Sequence, residues 1–236
     1  MRVLVQRGGW AAGQRVSLDV HEAHHLKVRR AKEGERVEIL DGVGLWGSGN
    51  LVKAGQEWMV DINAVEVHEP PPALTLGVAA GDRDRFSWMV EKSVELGVTR
   101  IVPLESERTA GVTTRLKDTH IARLQRSAIE SIKQCGASWA PAVENPVALS
   151  SFVKQPQSGR RWLAHQSGAP APALLDQSPV TVIVGPEGGL TQKELEMATS
   201  ADFHPISLGV HTLRFETAAL AAAAAITQAR MRGQLG

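Results

Sequence analysis

The chain has 236 residues, enough for one large domain or two smaller ones, and its 43% hydrophobic content can supply a buried core. Its formal net charge is only +1, so no global field indicates a nucleic-acid partner, and any such surface must be a local patch. The single cysteine excludes an internal disulfide and a cysteine-rich metal site, and no run reaches the roughly 18 apolar residues of a membrane span. We therefore expect a soluble cytoplasmic protein.

Short alternating stretches separated by glycines fill the N-terminal part of the chain. RVEILDG, GLWGSGNLVKAG and EWMVDINAVEVHE follow one another between Arg36 and Glu69. This pattern is typical of short antiparallel strands joined by tight turns, and it predicts a small β-barrel. Three prolines at 70–72 stiffen the chain and cannot donate backbone hydrogen bonds. They indicate a boundary between a first domain at 1–72 and a second at 73–236.

After the prolines, the pattern alternates between strand and helix. Strands are predicted at ALTLGVA, RIVPL, RWLAH, VTVIV and HPISLG, and helices at DRFSWMVEKSVELGV, HIARLQRSAIESIKQCG, TQKELEMATS and ETAALAAAAAITQARMRG. The apolar positions expected on the first two helices are Phe86, Met89, Val90 and Val94, and then Ile121, Leu124, Ala128, Ile132 and Cys135. SGAPAPALLDQSP is expected to be an irregular loop. The alternation predicts an α/β fold, with helices on both faces of a parallel sheet.

A glycine-rich turn, VGPEGGLTQKELE, begins at Val184. It follows an apolar strand and precedes a helix that Thr191 and Glu194 can cap, so it can hold a ligand at the carboxyl edge of the sheet. It lacks the spacing of a dinucleotide or polyphosphate loop, and Glu187 would repel phosphate. A ligand with hydroxyls, an amine or a positive centre suits it better. The alternative is a tight turn whose glycines only satisfy positive φ.

A second candidate segment, SLGVHTLRFETAALAAAAA, begins at Ser207. His211 and Arg214 lie in its loop, and Glu216 opens an alanine-rich helix, where an acidic residue is favourable for ordinary dipole reasons. Arg214 alone fits either a reactive site or an ordinary surface arginine. The usual motifs for nucleophilic catalysis are absent from the sequence, which favours transfer chemistry that depends on positioning.

Two basic stretches fit either a solvated face or a phosphate-binding surface. They contain Arg108, Arg115, Lys117, Arg123 and Arg126 in one stretch, and Lys27, Arg29, Arg30 and Lys32 in the other. His24 and His25 are adjacent, but neighbouring residues on a strand face opposite ways, so we predict no metal site.

Four stretches, taken in order, resemble the bacterial 16S ribosomal RNA uridine-N3 methyltransferases of the SPOUT superfamily. They are EKSVELGVTRIVPLESER, AIESIKQCG, VGPEGGLTQKELE and SLGVHTLRFETAAL, and HHLKVRRAKEGERVEILDG is similar to the PUA-like β-barrel of that family. The resemblance covers nearly the whole chain. It implies a knotted, SPOUT-type parallel sheet with a C-terminal trefoil knot, S-adenosylmethionine as cofactor, a homodimer, and 16S rRNA or the small ribosomal subunit as substrate.

The resemblance also implies roles for particular residues. Arg214 would polarise the uracil edge or stabilise negative charge that develops on it. The implied cofactor-binding residues are Leu163, Ala164, His165, Val184, Gly185, Pro186, Glu187, Gly188, Gly189, Ser207, Leu208, Gly209, Leu213, Arg214 and Thr217. The implied RNA-binding residues are Lys27, Arg29, Arg30, Arg108, Arg115, Lys117, Arg123 and Arg126. No metal is implied.

The sequence departs from the family pattern at several positions. Lys133, Ala137, His211 and Phe215 stand where the family often has glutamate, arginine, arginine and threonine, and Thr113 stands where it often has lysine. Two alternatives remain open at this stage. One is a methyltransferase of the same fold that acts on ribose 2′-O or another base, and the other is a non-catalytic RNA-binding assembly protein.

Overall fold

The computed structural model describes residues 1–5, 9–79, 81–109 and 118–235. The chain divides into two compact units, the first formed by Met1–Pro70 with Ile129–Ala140 and the second by Pro71–Ala128 with Pro141–Gly236. The sequence indicated one boundary, at residue 72, and gave no sign that residues 129–140 belong with the first unit. In the part of the chain that is described, no helix combines the length and apolarity needed to cross a membrane.

The first unit is built on a five-stranded sheet. Its elements are β1 (Arg2–Leu4), β2 (Arg15–Ser17), α1 (Val20–Val28), β3 (Arg36–Leu40), β4 (Leu45–Ala54) and β5 (Glu57–Val67). The strand order is β1-β3-β4-β5-β2. Alternate residues of β3 and β5 point into a core that includes Val37, Ile39, Val60 and Ile62, and Leu26 of α1 packs with them.

The antiparallel pairing predicted for the stretches between Arg36 and Glu69 is confirmed, because β4 pairs antiparallel with both β3 and β5. The strand β1, which that pattern did not include, runs parallel to β3, with Leu4 opposite Leu40. Parallel strands need a connection of a dozen or more residues, and the segment that contains α1 provides it. His24 and His25 lie in α1 rather than on a strand. Asp19 is the N-cap residue of this helix, and its side chain accepts a hydrogen bond from the Glu22 amide.

The second unit is built on a parallel sheet. Its strands are β6 (Leu74–Val78), β7 (Arg100–Glu105), β8 (Ala142–Val143), β9 (Val147–Ala148), β10 (Arg160–Pro170), β11 (Val180–Val184) and β12 (His204–Ser207). Its helices are α2 (Arg83–Glu95), α3 (Asp118–Cys135), α4 (Leu149–Phe152), α5 (Gln192–Ser200) and α6 (Phe215–Gln234), and the last seven residues of α3 belong to the first unit. The strand order is β12-β10-β11-β6-β7-β8, with β9 beside β7, and every pair is parallel.

Helices flank this sheet, and the predicted α/β class is confirmed. Every residue of the central strands β6 and β11 is buried, as expected for strands covered on both faces. Phe152 of α4 and Ala198 of α5 pack against Ile183 of β11 in one core cluster, while α6 contacts β6 and β11. The threading of the chain as a trefoil knot stays a prediction.

Two further details of the fold differ from expectation. Cys135 is exposed, unlike Ile132 one turn earlier, because the helix ends there and the chain turns at Gly136 with a φ of 83°. The stretch from Ser167 to Pro170 is part of β10 rather than an irregular loop. Both Ala164 and Ala169 pair with Ile206 of β12, so the intervening residues form a bulge.

Candidate active site

A cavity of about 290 Å³ lies where β10, β11 and β12 end at the carboxyl edge of the parallel sheet. Three segments line it: the bulge of β10, the glycine-rich turn after β11, and the loop between β12 and α6. The lining residues are Ala164, His165, Gln166, Val184, Gly185, Pro186, Glu187, Gly188, Gly189, Leu190, Leu195, Ser207, Leu208, Gly209, His211, Thr212, Leu213 and Ala218. A crevice at this edge is the usual ligand position in open α/β sheets.

Most of the predicted cofactor-binding residues line this cavity, but three do not. Leu163 is 1% exposed and belongs to the hydrophobic core. Arg214 is the exposed N-cap residue of α6, and its side chain makes no capping hydrogen bond. Thr217 is exposed on the first turn of the same helix. Arg214, the predicted catalytic residue, is therefore not among the side chains that surround the cavity.

Sequence reasoning missed several lining residues, most of all Gln166 and Thr212. The amide Nε2 of Gln166 donates to Thr212 Oγ1 at 2.7 Å, which joins the bulge of β10 to the loop after β12. Gly168 allows the bulge, because a Cβ there would overlap the backbone of Ile206. A bulge of this kind leaves no local signal, since it depends on pairing with a strand about 40 residues later.

The three glycines of the turn after β11 have different reasons to be glycine. Only Gly189 has a positive φ, of 70°, and its amide donates to Pro186 O at 2.8 Å to close the turn. A Cβ on Gly185 would approach Leu190 Cγ to 3.2 Å, whereas one on Gly188 would meet nothing closer than 3.4 Å. Turn conformation thus accounts for Gly189 alone, whereas a Cβ on Gly188 would be in ordinary van der Waals contact with Arg108 Cδ.

The helix that follows the turn has the capping box predicted from Thr191 and Glu194. Glu194 is buried and also accepts a hydrogen bond from the Glu107 amide at 2.9 Å. Next to it, the Arg108 guanidinium donates to the carbonyl oxygens of Gly188 and Gly189. Arg108, predicted to bind RNA, therefore also supports the outer side of the turn.

Three charged side chains form a group beside the cavity, which we call the Arg85 cluster: Arg85, Glu187 and Glu216. Arg85 Nη1 lies 3.5 Å from Glu187 Oε1, and Arg85 Nε lies 4.0 Å from Glu216 Oε1. The Glu216 side chain is 9% exposed, and its Oε2 has no hydrogen-bond partner among the described residues. The sequence indicated Glu187 and Glu216 separately but gave no indication of Arg85.

The other described residues that were predicted to bind RNA lie on surfaces of the two units. Lys27, Arg29 and Arg30 are exposed at the end of α1, and Arg123 and Arg126 are exposed on α3. Arg115 and Lys117 lie outside the described residues, as does Thr113. The described part of the chain has no group of three or more side chains suited to hold a metal ion.

Comparison with known families matches both units of the chain. Residues 68–227 match an RNA methyltransferase domain, and residues 18–57 match an RNA methyltransferase PUA domain. The fold and the site thus define an RNA methyltransferase preceded by a PUA domain. The chain belongs to this RNA methyltransferase family.

Its relatives include two that are described as ribosomal RNA small subunit methyltransferase E. The one from Synechocystis is 31% identical over 222 residues, which cover 89% of this chain and 72% of the relative. The one from Rickettsia conorii is 28% identical over 223 residues, which cover 90% of this chain and 88% of the relative. The crystal structure of a ribosomal RNA small subunit methyltransferase E from Neisseria gonorrhoeae, bound to S-adenosyl methionine, is 28% identical and covers 97% of both chains with a TM-score of 0.84.

Proposed function

We propose that the protein transfers the methyl group of S-adenosylmethionine to N3 of a uridine in the 16S rRNA of the small ribosomal subunit. The observation that carries this proposal is the cavity between the three loops, in a chain whose family is an RNA methyltransferase family. Support comes from the relatives named for the small ribosomal subunit and from the related crystal structure with its bound cofactor. The choice of uridine N3 rests on the sequence resemblance.

The residues around the cavity fit this cofactor. A volume of about 290 Å³ is near the lower end of small-molecule sites, roughly 300 Å³. Leu190, Leu195 and Leu213 give apolar surface for a purine ring, and the glycines of the turn after β11 also line the cavity. When bound, the cofactor supplies a methyl group already activated on a positively charged sulfur, so the protein needs only to bind, orient and manage one proton.

The proposal extends to the partners of the protein. Lys27, Arg29, Arg30, Arg123 and Arg126 carry exposed positive charge that suits an RNA backbone. A cytoplasmic homodimer is proposed on the family resemblance. Exposed apolar side chains, Val210 at 92% and Leu235 at 89%, are available on the second unit for such contact.

Two measurements test the proposed function. Calorimetry should detect binding of S-adenosylmethionine, and labelled S-adenosylmethionine should transfer its methyl group to small ribosomal subunits from cells that lack the protein. Nucleoside mass spectrometry then identifies the product, which we expect to be N3-methyluridine. A 2′-O-methylated nucleoside would instead support a related enzyme with another target, and RNA binding without cofactor binding would support an assembly protein.

A further inference from the structure

The Arg85 cluster contains two carboxylates for one guanidinium, and neither pair is close. The guanidinium of Arg85 lies 3.5 Å from the carboxylate of Glu187 and 4.0 Å from that of Glu216. In a close pair such as Arg100 with Glu144, the two hydrogen bonds measure 2.6 and 2.9 Å. Arg85 and Glu187 are each about two-fifths exposed. The cluster thus keeps unused N–H donors on Arg85 and unused acceptor capacity on Glu187 at the edge of the cavity.

Glu216 has a different position in the cluster. Its carboxylate is buried at the start of α6, and among the described residues its Oε2 accepts no hydrogen bond. A buried carboxylate with one oxygen unpaired is unfavourable, so Glu216 attracts the nearby guanidinium of Arg85, although water screens the exposed part of Arg85. Glu216 therefore holds Arg85 at the side of the cavity that Glu187 lines.

The unused groups match one edge of uracil. That edge presents the N3–H donor between two carbonyl acceptors, O2 and O4. A carboxylate can accept from N3–H while a guanidinium donates to an adjacent carbonyl oxygen. Cytosine presents an unprotonated N3 instead, which a carboxylate repels. The donor and acceptor pattern of Arg85 with Glu187 thus selects an imide.

We propose that Glu187 accepts the N3 proton of the target uridine, that Arg85 donates to the adjacent uracil carbonyl, and that Glu216 is a positioning residue that holds Arg85. This inference rests on the proposed function. The N3–H bond breaks, and its proton passes to a Glu187 oxygen. The electron pair left on N3 forms the bond to the methyl carbon as the carbon–sulfur bond breaks and its electron pair passes to sulfur. Water then takes the proton from Glu187.

The main experiment combines Glu187→Gln with a more acidic substrate. Single-turnover methyl transfer is measured on 16S rRNA carrying uridine, and on the same RNA made with 5-fluorouridine, whose N3–H is more acidic because fluorine withdraws electrons. We expect Glu187→Gln to slow the reaction of uridine by about 100-fold at neutral pH, the usual scale of general-base catalysis. The fluorinated RNA should recover most of this loss, and the rate of the variant should keep rising with pH as N3 ionises without assistance.

Cofactor binding is the second readout, and Glu95→Gln is the matched control. Glu95 is a similarly exposed carboxylate that pairs with Lys92 at 2.7 Å on the same helix as Arg85, and it does not line the cavity. The inference assigns the Glu187 carboxylate to the target base rather than to the cofactor, so we expect both variants to bind S-adenosylmethionine as the unaltered protein does. We also expect Glu95→Gln to keep its activity. Loss of cofactor binding in Glu187→Gln would overturn the inference, as would an equal loss on both RNAs at every pH. Absence of uridine methylation by the unaltered protein would instead contradict the proposed function.

Two further variants test the role of Glu216 and Arg85. Glu216→Gln keeps the shape of the side chain but removes the charge that holds Arg85. It should lower the rate of methyl transfer without weakening cofactor binding, and it should show the same recovery with 5-fluorouridine. Arg85→Lys should show the same losses, because one ammonium cannot reach both carboxylates and the carbonyl as a guanidinium can. Normal uridine rates in both variants would remove them from the mechanism.

Discussion

Gly81 determines where the carboxylate of Glu187 can lie. A Cβ at this position would overlap Glu187 Oε2 and approach its Cδ to 3.0 Å. The φ of Gly81 is not in the left-handed region, so alanine can adopt this backbone, and the overlapping atom is the end of a flexible side chain. Gly81→Ala should therefore fold normally while displacing Glu187. We expect methyl transfer to fall by up to about 100-fold, as misplacement by about 1 Å can do, with an unchanged melting temperature.

A double-mutant cycle provides the control for this expectation. If Gly81→Ala acts through Glu187, it should change little in a Glu187→Gln background, where the proton acceptor has already been lost. Single-turnover rates of the four proteins measure this coupling. If the fold-losses in rate of the two single variants multiply in the double variant, Gly81 affects the reaction by another route.

Lys133, one of the departures from the family pattern, belongs to a buried ion pair in the first unit. Its ammonium lies 2.5 Å from both Glu22 Oε1 and Glu130 Oε2. Burial raises the pKa of Glu22, although its hydrogen bond to Lys133 opposes this shift. Burial also acts to lower the pKa of Lys133, but the hydrogen bonds to Glu130 and Glu22 together outweigh it and raise that pKa.

The raised pKa of Glu22 sets the direction of a pH effect. A raised pKa means that the folded state favours the protonated form of Glu22. The stability that Glu22 contributes is therefore fully present below the pKa of glutamate in the unfolded chain, and it is lost as the pH rises through the higher pKa of the folded state. We therefore expect the unaltered protein to lose stability relative to Glu22→Gln between about pH 4 and neutral pH, a range that begins near the ordinary glutamate pKa. Urea denaturation at several pH values measures this difference. The expected sign would be contradicted if the free energy of unfolding of the unaltered protein, minus that of Glu22→Gln, stayed constant or rose with pH.

At the scale of elements, Glu194 connects the start of α5 to the segment after β7. It accepts hydrogen bonds from the amides of Thr191 and Glu107, and both sites are partly buried. Glu194→Ala leaves these donors without their partner, so we expect a loss of about 2 kcal/mol in the free energy of unfolding. Glu196→Ala is the matched control, because Glu196 is exposed on the same helix. Similar urea midpoints for the two variants would refute this role of Glu194.

Elements with a strong local signal were predictable. The apolar run VTVIV predicted β11, and the spacing of Phe86, Met89, Val90 and Val94 predicted the buried face of α2. α1 was not predicted, because the only residues it buries are Glu22 and Leu26, which give no apolar periodicity. The bulge of β10 and the course of β1 beside β3 depend on distant pairing, which no local pattern records.

At the scale of the whole molecule, the sequence predicted where the cavity lies but not which charged side chains surround it. Three candidate segments end neighbouring parallel strands, so they converge at one edge of the sheet. The direction of a side chain depends on how it packs in the folded chain. Arg214 is an exposed N-cap residue, whereas Arg85 contacts Glu187, which lies 102 residues away in the sequence. Such a contact cannot be inferred from spacing along the chain.

The two units also determine how the molecule can be divided. Residues 129–140 belong to the first unit, where Trp139 Nε1 donates to His68 O and the Gly44 amide donates to Ser138 O. A fragment that starts at Pro71 carries this segment without the strands it packs on, and so exposes Ile132, which is 0% exposed in the full chain. Burial of one isoleucine is worth about 2 kcal/mol, so we expect the fragment to be less stable than the second unit of the full chain by at least that amount. Hydrogen exchange of the amides in β6 and β11 measures the stability of the second unit in the fragment and in the full chain. Equal protection would mean that the packing of residues 129–140 on the strands of the first unit adds nothing to the stability of the second unit.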